Sequence, residues 1–384
     1  MKVILSRKGF DSKAGGIASP IFENGDMVSL PIPSCDSNSY SDFVYEEMEY
    51  SKVLEDLKYK GDSLCHADPD LDQARRKERI RDWVPAFGQC GPAATYLKNI
   101  GLKEGDLFLF FGNFHCVRME DGKLKYVSNT GDFYKDRDIQ VIWGYLQVGE
   151  ILDTAKEQKK LKWHPHADDE RTTDPTNIII KASDTLSFDN SKPGAGILTF
   201  DEKRILTKYG CNKATWKMND VYLPWNIYGN RKNSANDPLF SVYYSGQWQE
   251  LGLKESDKCT EWARRIISDE DSGNVVLIAE CHNWGLITPM DWQESHYVLH
   301  KDGTLTITRC VGDEITEVKK TISGKDLAFI QSKIDDYIEA DASEACDGGA
   351  WKVKCGRKTF ELGYVYGTKL EVITDILKKA EETE

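Results

Sequence analysis

The chain has 384 residues, 40% hydrophobic and 29% charged, with a formal net charge of −13. That length admits two domains or three, and the composition is ordinary for a globular chain with no apolar run near the roughly 20 residues that span a bilayer. The carboxylate excess excludes strong non-specific binding to duplex DNA, which needs Lys and Arg against phosphate, although a local basic groove stays open.

Met1 leads directly into an apolar stretch, without the basic segment and apolar core of a signal peptide, so a cytoplasmic location is expected. The ten cysteines include no pair at zinc-site spacing and are read as reduced, mostly buried thiols. Lys2 to Ser6 is expected as a strand, followed by Arg7, Lys8, Asp11 and Gly15-Gly16, then a returning strand from Met27 to Ile32. A charged, glycine-rich turn brings backbone amides and polar side chains together and can hold a small anionic ligand. The plainer reading is a hairpin whose glycines serve positive φ. Arg7, Gly15 and Gly16 are therefore candidate ligand contacts. Asp11 is a candidate catalytic carboxylate that can orient Arg7.

Residues 35–83 read as polar and irregular. Within them, His66, Asp68, Asp70 and Asp72 place one imidazole and three carboxylates on alternate positions, interrupted by Pro69. Such a loop either caps the next element through its carboxylates or binds a divalent cation. The second use makes His66, Asp70 and Asp72 metal ligands and His66 and Asp68 catalytic. His164-Pro165-His166 can add imidazoles from a distance. The basic run Arg75 to Arg81 is either a solvated face or a phosphate-facing patch.

Phe87-Gly88-Gln89-Cys90-Gly91 precedes a helix opened by Pro92. Flanked by Gly88 and Gly91, Gln89 can offer a donor and an acceptor to a base edge. Cys90 is either a buried thiol or a nucleophile paired with His66 or His164. Leu107 to Phe111 and Gln140 to Gly149 read as buried strands. Alternation puts Phe108 and Phe110 on one face and Phe111 on the other. The aromatics there are core, or a wall for a stacked base with Phe111 as the contact.

Short strands are expected around 177–182, 196–200 and 214–218, then a helix from Lys258 to Ser268 with Trp262, Ile266 and Ile267 on its apolar side. The acidic, Gly-ended stretch 269–273 reads as a boundary between domains 1–270 and 274–384. The second domain shows strands at 295–299, 304–310 and 314–320. Ser323 then caps a helix bearing Leu327, Ile330, Ile334 and Ile338. A second hairpin and a closing helix with Leu370, Ile373 and Leu377 end the chain. Phosphate-loop, H-E-x-x-H, deaminase and G-x-S-x-G signatures are absent.

Several blocks together resemble the nucleotide modification associated domain, type three, of bacteria and phages. They include Arg7-Lys8-Gly9-Phe10-Asp11-Ser12, Gly15-Gly16-Ile17, His66-Ala67-Asp68-Pro69-Asp70, Phe87-Gly88-Gln89 and Gly105-Asp106-Leu107. The likeness runs from residue 1 to about residue 270. It implies a setting in DNA modification and phage conflict, without a reaction. Gly105 to Phe111 and Ile142 to Leu152 are also similar in layout to PUA-like barrels such as EVE and ASCH domains. The expected fold is α+β, with a β-rich N-terminal domain, as a PUA-like barrel or another α+β arrangement, and a small C-terminal α+β domain. The expected function is recognition or processing of a modified nucleotide or DNA base. A His/Asp enzyme with a divalent metal and a non-catalytic interaction component of a defence operon are the alternatives. Expected partners are a nucleotide or modified base, no membrane, and a protein contacting 274–384.

Overall fold

The apolar runs at 107–111 and 140–149 extend into two 14-residue strands at the middle of one sheet. Its main strands are β1 (Val3–Arg7), β2 (Ala86–Gln89), β3 (Leu107–Glu120), β4 (Ile139–Leu152), β5 (Ile178–Ala182) and β6 (Glu250–Leu253), in the order β6-β1-β3-β4-β5-β2. β1 runs parallel to β3, and every other neighbouring pair on this path is antiparallel. Burial on both sides explains the near-continuous apolar runs of β3 and β4. Gly112 is required where strands cross closely, since a Cβ there would sit 2.6 Å from the Lys8 carbonyl oxygen.

The computed structural model describes residues 1–217, 219–229, 234–237, 241–244, 249–268, 275–284, 293–311, 314–338, 348–355 and 358–382. The chain divides into two units, Met1–Glu255 with Trp262–Ile267, and Ser256–Glu261 with Ser268–Glu384. The stretch read from sequence as a linker, 269–274, lies outside the described residues.

The fold is α+β, with open sheets. β2 and β6, the ends of the main sheet, share no backbone pairing, so no barrel is closed there. The sheet nevertheless curls until its ends meet through side chains. Gln89 Nε2 on β2 donates to Glu250 Oε1 on β6 at 2.7 Å. Ser6 Oγ donates to the same oxygen, and Lys8 Nζ lies 3.5 Å from it. One sheet face buries Phe87, Phe108 and Phe110 in edge-to-face and stacked contact. The opposite face buries Phe111 against Trp216 and Tyr244.

Residues 35–83 are more ordered than their polarity implied. They contain strands Ile32–Ser39 and Leu64–His66 and helix α1 (Tyr50–Asp56). Tyr40, Phe43, Tyr45, Tyr50, Val53 and Leu54 join a core with Phe10, Val117 and Leu124. The elements are too short to show a period, and tyrosine supplies much of the apolar surface. Helix α2 (Gly91–Asn99) opens with Pro92 and buries Ala93, Ala94 and Leu97.

Among the described residues of the second unit, six strands and two helices enclose one core. The sheet order, by range, is 314–321, 304–311, 293–300, 275–284, 348–355 and 358–363. Ser323 Oγ accepts the Asp326 N–H and caps the helix Gly324–Tyr337. Ile330, Ile334 and Ile338 of that segment meet Ile373 and Leu377 of the closing helix Glu371–Glu382 in the core.

Candidate functional site

Paired backbone bonds between Asp70 and Ala86 dock the 68–70 loop on β2. That docking aims Asp68 Oδ1 at the Gly88 N–H, which it accepts at 2.6 Å. On the same side of β2, the turn 164–167 brings two buried imidazoles. His164 Nε2 lies 3.3 Å from Asp68 Oδ1, and His166 Nε2 lies 4.0 Å from Oδ2. His66 Nε2 lies 3.8 Å from Oδ2. Gly88 makes this approach possible, because a Cβ there would fall 2.3 Å from His166 Cδ2.

Each imidazole is held from behind. His66 Nδ1 is hydrogen-bonded to Asp36, whose other oxygen meets Arg171 Nη1 at 2.8 Å. His166 Nδ1 meets Asn177 Oδ1 at 2.6 Å. His164 Nδ1 accepts the His166 backbone N–H at 3.2 Å. Asn177 in turn donates to Gln158 Oε1, and Gln158 Nε2 donates to the carbonyls of Leu152 and Asn177.

Burial alone would raise the Asp68 carboxyl, but His164 close beside it and the other imidazoles hold it well below the usual range. Asp36 is treated the same way: burial opposes its charge, and His66 and Arg171 override it. Burial pushes His166 down to about 4, against the pull of Asp68. At neutral pH the centre is thus an anionic carboxylate facing a neutral His166.

The structure brings together only part of what the sequence singled out. His66 and Asp68 meet, with His164 and His166 beside them. Asp70 is elsewhere, buried against Arg76 Nε at 2.6 Å, where burial raises its carboxyl. Asp72 caps the turn Gln73–Arg75 by accepting the Ala74 N–H. The metal set His66, Asp70 and Asp72 is therefore replaced by the donor group His66, Asp68 and His166, whose ligand atoms lie within 4.8 Å of one another.

Arg7 and Gln89 do not share a cleft. Ser6 and Lys8 point to Glu250 and Gln89, so alternation sends Arg7 to the other face, over the Tyr244 ring. Asp11 pairs with Arg7 at 3.3 Å and accepts the Lys13 and Ala14 N–H groups, a turn-forming role. Gly15, at φ +90°, leaves room for the Phe10 ring, and Gly16 has φ +75°. Gly91 donates to Thr176 Oγ1 at 2.7 Å. Phe111 is fully buried core. Burial raises the Cys90 thiol, which opposes a nucleophilic thiolate. Asp36, Gln158 and Asn177 carried no sequence signal, since each acts on a residue at least 11 positions away.

A family model described as nucleotide modification associated domain 3 matches residues 2–255, a span that contains every member of the cluster. None of the curated proteins matches the chain.

Proposed function

The chain belongs to the nucleotide modification associated domain 3 family, and we propose that its first unit processes a modified nucleotide or DNA base at the His66–Asp68–His164–His166 cluster. The observation that carries this reading is a buried carboxylate surrounded by three imidazoles. Burying ionisable groups costs several kcal/mol each by general estimate, and apolar side chains of similar volume would fill the space without that cost. Recognition of a base edge needs only amides and hydroxyls. Carboxylates and imidazoles serve proton transfer and coordination, which favours processing over reading.

Open space reaches the cluster at Asp68 and leads to a larger groove. A cavity of about 50 Å³ is lined by Asp68, Pro69, Asp70 and Trp143. A groove of about 330 Å³ shares Met27, Leu71, Asp72, Arg75 and Ile197 with it. That volume lies at the small-ligand end of the pocket range. No helix among the described residues is long and apolar enough to cross a membrane. A cytoplasmic place in a bacterial or phage DNA-modification system, with the second unit as an accessory surface for a protein partner, fits this reading.

The test is to incubate the full chain with deoxynucleoside monophosphates, plain and base-modified, and with DNA carrying the same bases. Binding is followed by calorimetry and conversion by mass spectrometry. Wild type should bind and convert one modified substrate, and Asp68→Asn should abolish conversion. Binding without conversion by wild type would make the protein a reader. Neither binding nor conversion by folded protein would remove the proposal.

A further inference from the structure

We propose that His66 Nε2, Asp68 Oδ2 and His166 Nε2 form a divalent-metal site, with His164 and Gly88 as its outer support. The inference deepens the reading of the same cluster and can be tested without any nucleotide.

The hydrogen-bond chain sets the ring orientations. Gln158 Nε2 faces two backbone carbonyls, those of Leu152 and Asn177, so it must be the amide's donor end. Its Oε1 therefore accepts from Asn177 Nδ2, which also donates to the His166 carbonyl. Asn177 Oδ1 is then an acceptor, and His166 Nδ1 carries the proton that it receives. His166 therefore turns Nε2 toward the cluster. At His66 the orientation follows in one step, because Nδ1 donates to the Asp36 carboxylate and Nε2 is turned toward the cluster. Both Nε2 atoms face Asp68 Oδ2.

His164 has the opposite tautomer. Its Nδ1 accepts the His166 N–H, so its proton sits on Nε2, which faces Asp68 Oδ1. Gly88 N–H points at that same oxygen. Oδ1 thereby accepts the Gly88 N–H, with His164 Nε2 3.3 Å away as a buried polar atom that makes no hydrogen bond, and Oδ2 is left for a cation. Three imidazoles in one cluster thus divide into two ligands and one support. Backing of ligand imidazoles by carboxylate and amide partners is the usual outer shell of a metal centre.

The spacing is compatible with coordination. Metal–ligand bonds of roughly 2.0–2.2 Å put neighbouring donor atoms about 3–3.5 Å apart. The donors here are 3.8 and 4.0 Å from Oδ2, so a shift of side-chain rotation closes the set. Two imidazoles and one carboxylate favour zinc, iron(II), manganese or cobalt over magnesium and calcium, which prefer oxygen alone. Three protein ligands leave positions open for water or substrate, the pattern of a catalytic centre.

The experiment uses untagged full chain purified without chelator. Metal content is measured by mass spectrometry, and protein stripped with EDTA is titrated with Co(II) and Zn(II). One equivalent per chain is expected, with cobalt ligand-field bands and no thiolate charge-transfer band. Asp68→Asn and His166→Ala should lower affinity at least 100-fold. His164→Asn should keep one equivalent and lose about 10- to 100-fold, as outer-shell changes do. His300→Ala, in the second unit, should match wild type. The proposal is overturned if folded wild type binds none of these ions, if a thiolate band appears, or if the Asp68 and His166 variants bind as wild type does. Should those variants unfold, the wild-type cobalt spectrum still decides the donor set. Metal binding without nucleotide conversion would sink the functional reading alone. Nucleotide conversion by folded protein that binds none of these ions would sink the metal site alone.

Discussion

Gly88 is where a single methyl group tests the cluster. A Cβ there would meet His166 Cδ2 at 2.3 Å and His164 Cε1 at 2.8 Å, and both rings are buried. Gly88→Ala should cost about 1–3 kcal/mol of stability, as overpacking does. It should also weaken any ligand that depends on His166. Calorimetric melting within error of wild type would show that the rings yield instead. A second residue-scale expectation concerns Asp138. Burial opposes its charge, but hydrogen bonds with His115 and Asn113, and Lys213 nearby, hold its carboxyl at about 2. The unfolded chain, near 3.8, takes up that proton first as pH falls. The stabilisation is present above about pH 4 and lost as the pH approaches 2. Asp138→Asn should therefore flatten the acid limb of stability in that window, read by circular dichroism. An unchanged acid limb would remove Asp138 from it.

At the scale of elements, the segment from His66 to Arg76 was legible as a carboxylate-rich loop but not as two separate structures. Its first half faces the imidazoles. Its second half is anchored by Arg76, which pairs with Asp70 and lies over the Phe43 and Trp163 rings. Local spacing could not separate these roles, because the partners come from residues 36–43 and 163–166. Both Asp70 and Arg76 are buried, so Arg76→Ala strands a carboxylate in the core. A loss of about 3–5 kcal/mol is expected at neutral pH, with Arg76→Met costing less because it keeps the packing. Urea titration measures both. A loss under about 1 kcal/mol for the alanine variant would place the loop's anchorage elsewhere.

For the whole molecule, helix Asp257–Ile267 is the informative element, because its second half belongs to the first unit. Trp262 packs on Tyr222, and Arg204 Nε donates to the Ile266 carbonyl at 2.9 Å. Ile266 and Ile267 are buried. A fragment ending at Ser268 should fold with native cooperativity. One ending at Glu255 exposes the surface that Trp262, Ile266 and Ile267 cover, at about 1.5–3 kcal/mol for each fully buried side chain. Equal melting of the two fragments would refute this assignment.

Periodicity alone determined the strands at 107–111 and 140–149, the cap at Ser323 and the helix with Ile330 and Ile334, because each depends on neighbours within a few residues. It also marked His66 and Asp68, since imidazole and carboxylate at alternate positions are rare enough to notice. The sheet's curl, which brings Gln89 to Glu250 beside Ser6 and Lys8, depends on pairing between strands some 245 residues apart. The division of labour among His66, His164 and His166 depends on Asp36, Asn177 and Gln158. Only tertiary structure decided these, because a tautomer is set by whichever group the fold places behind the ring, and no local pattern encodes that partner.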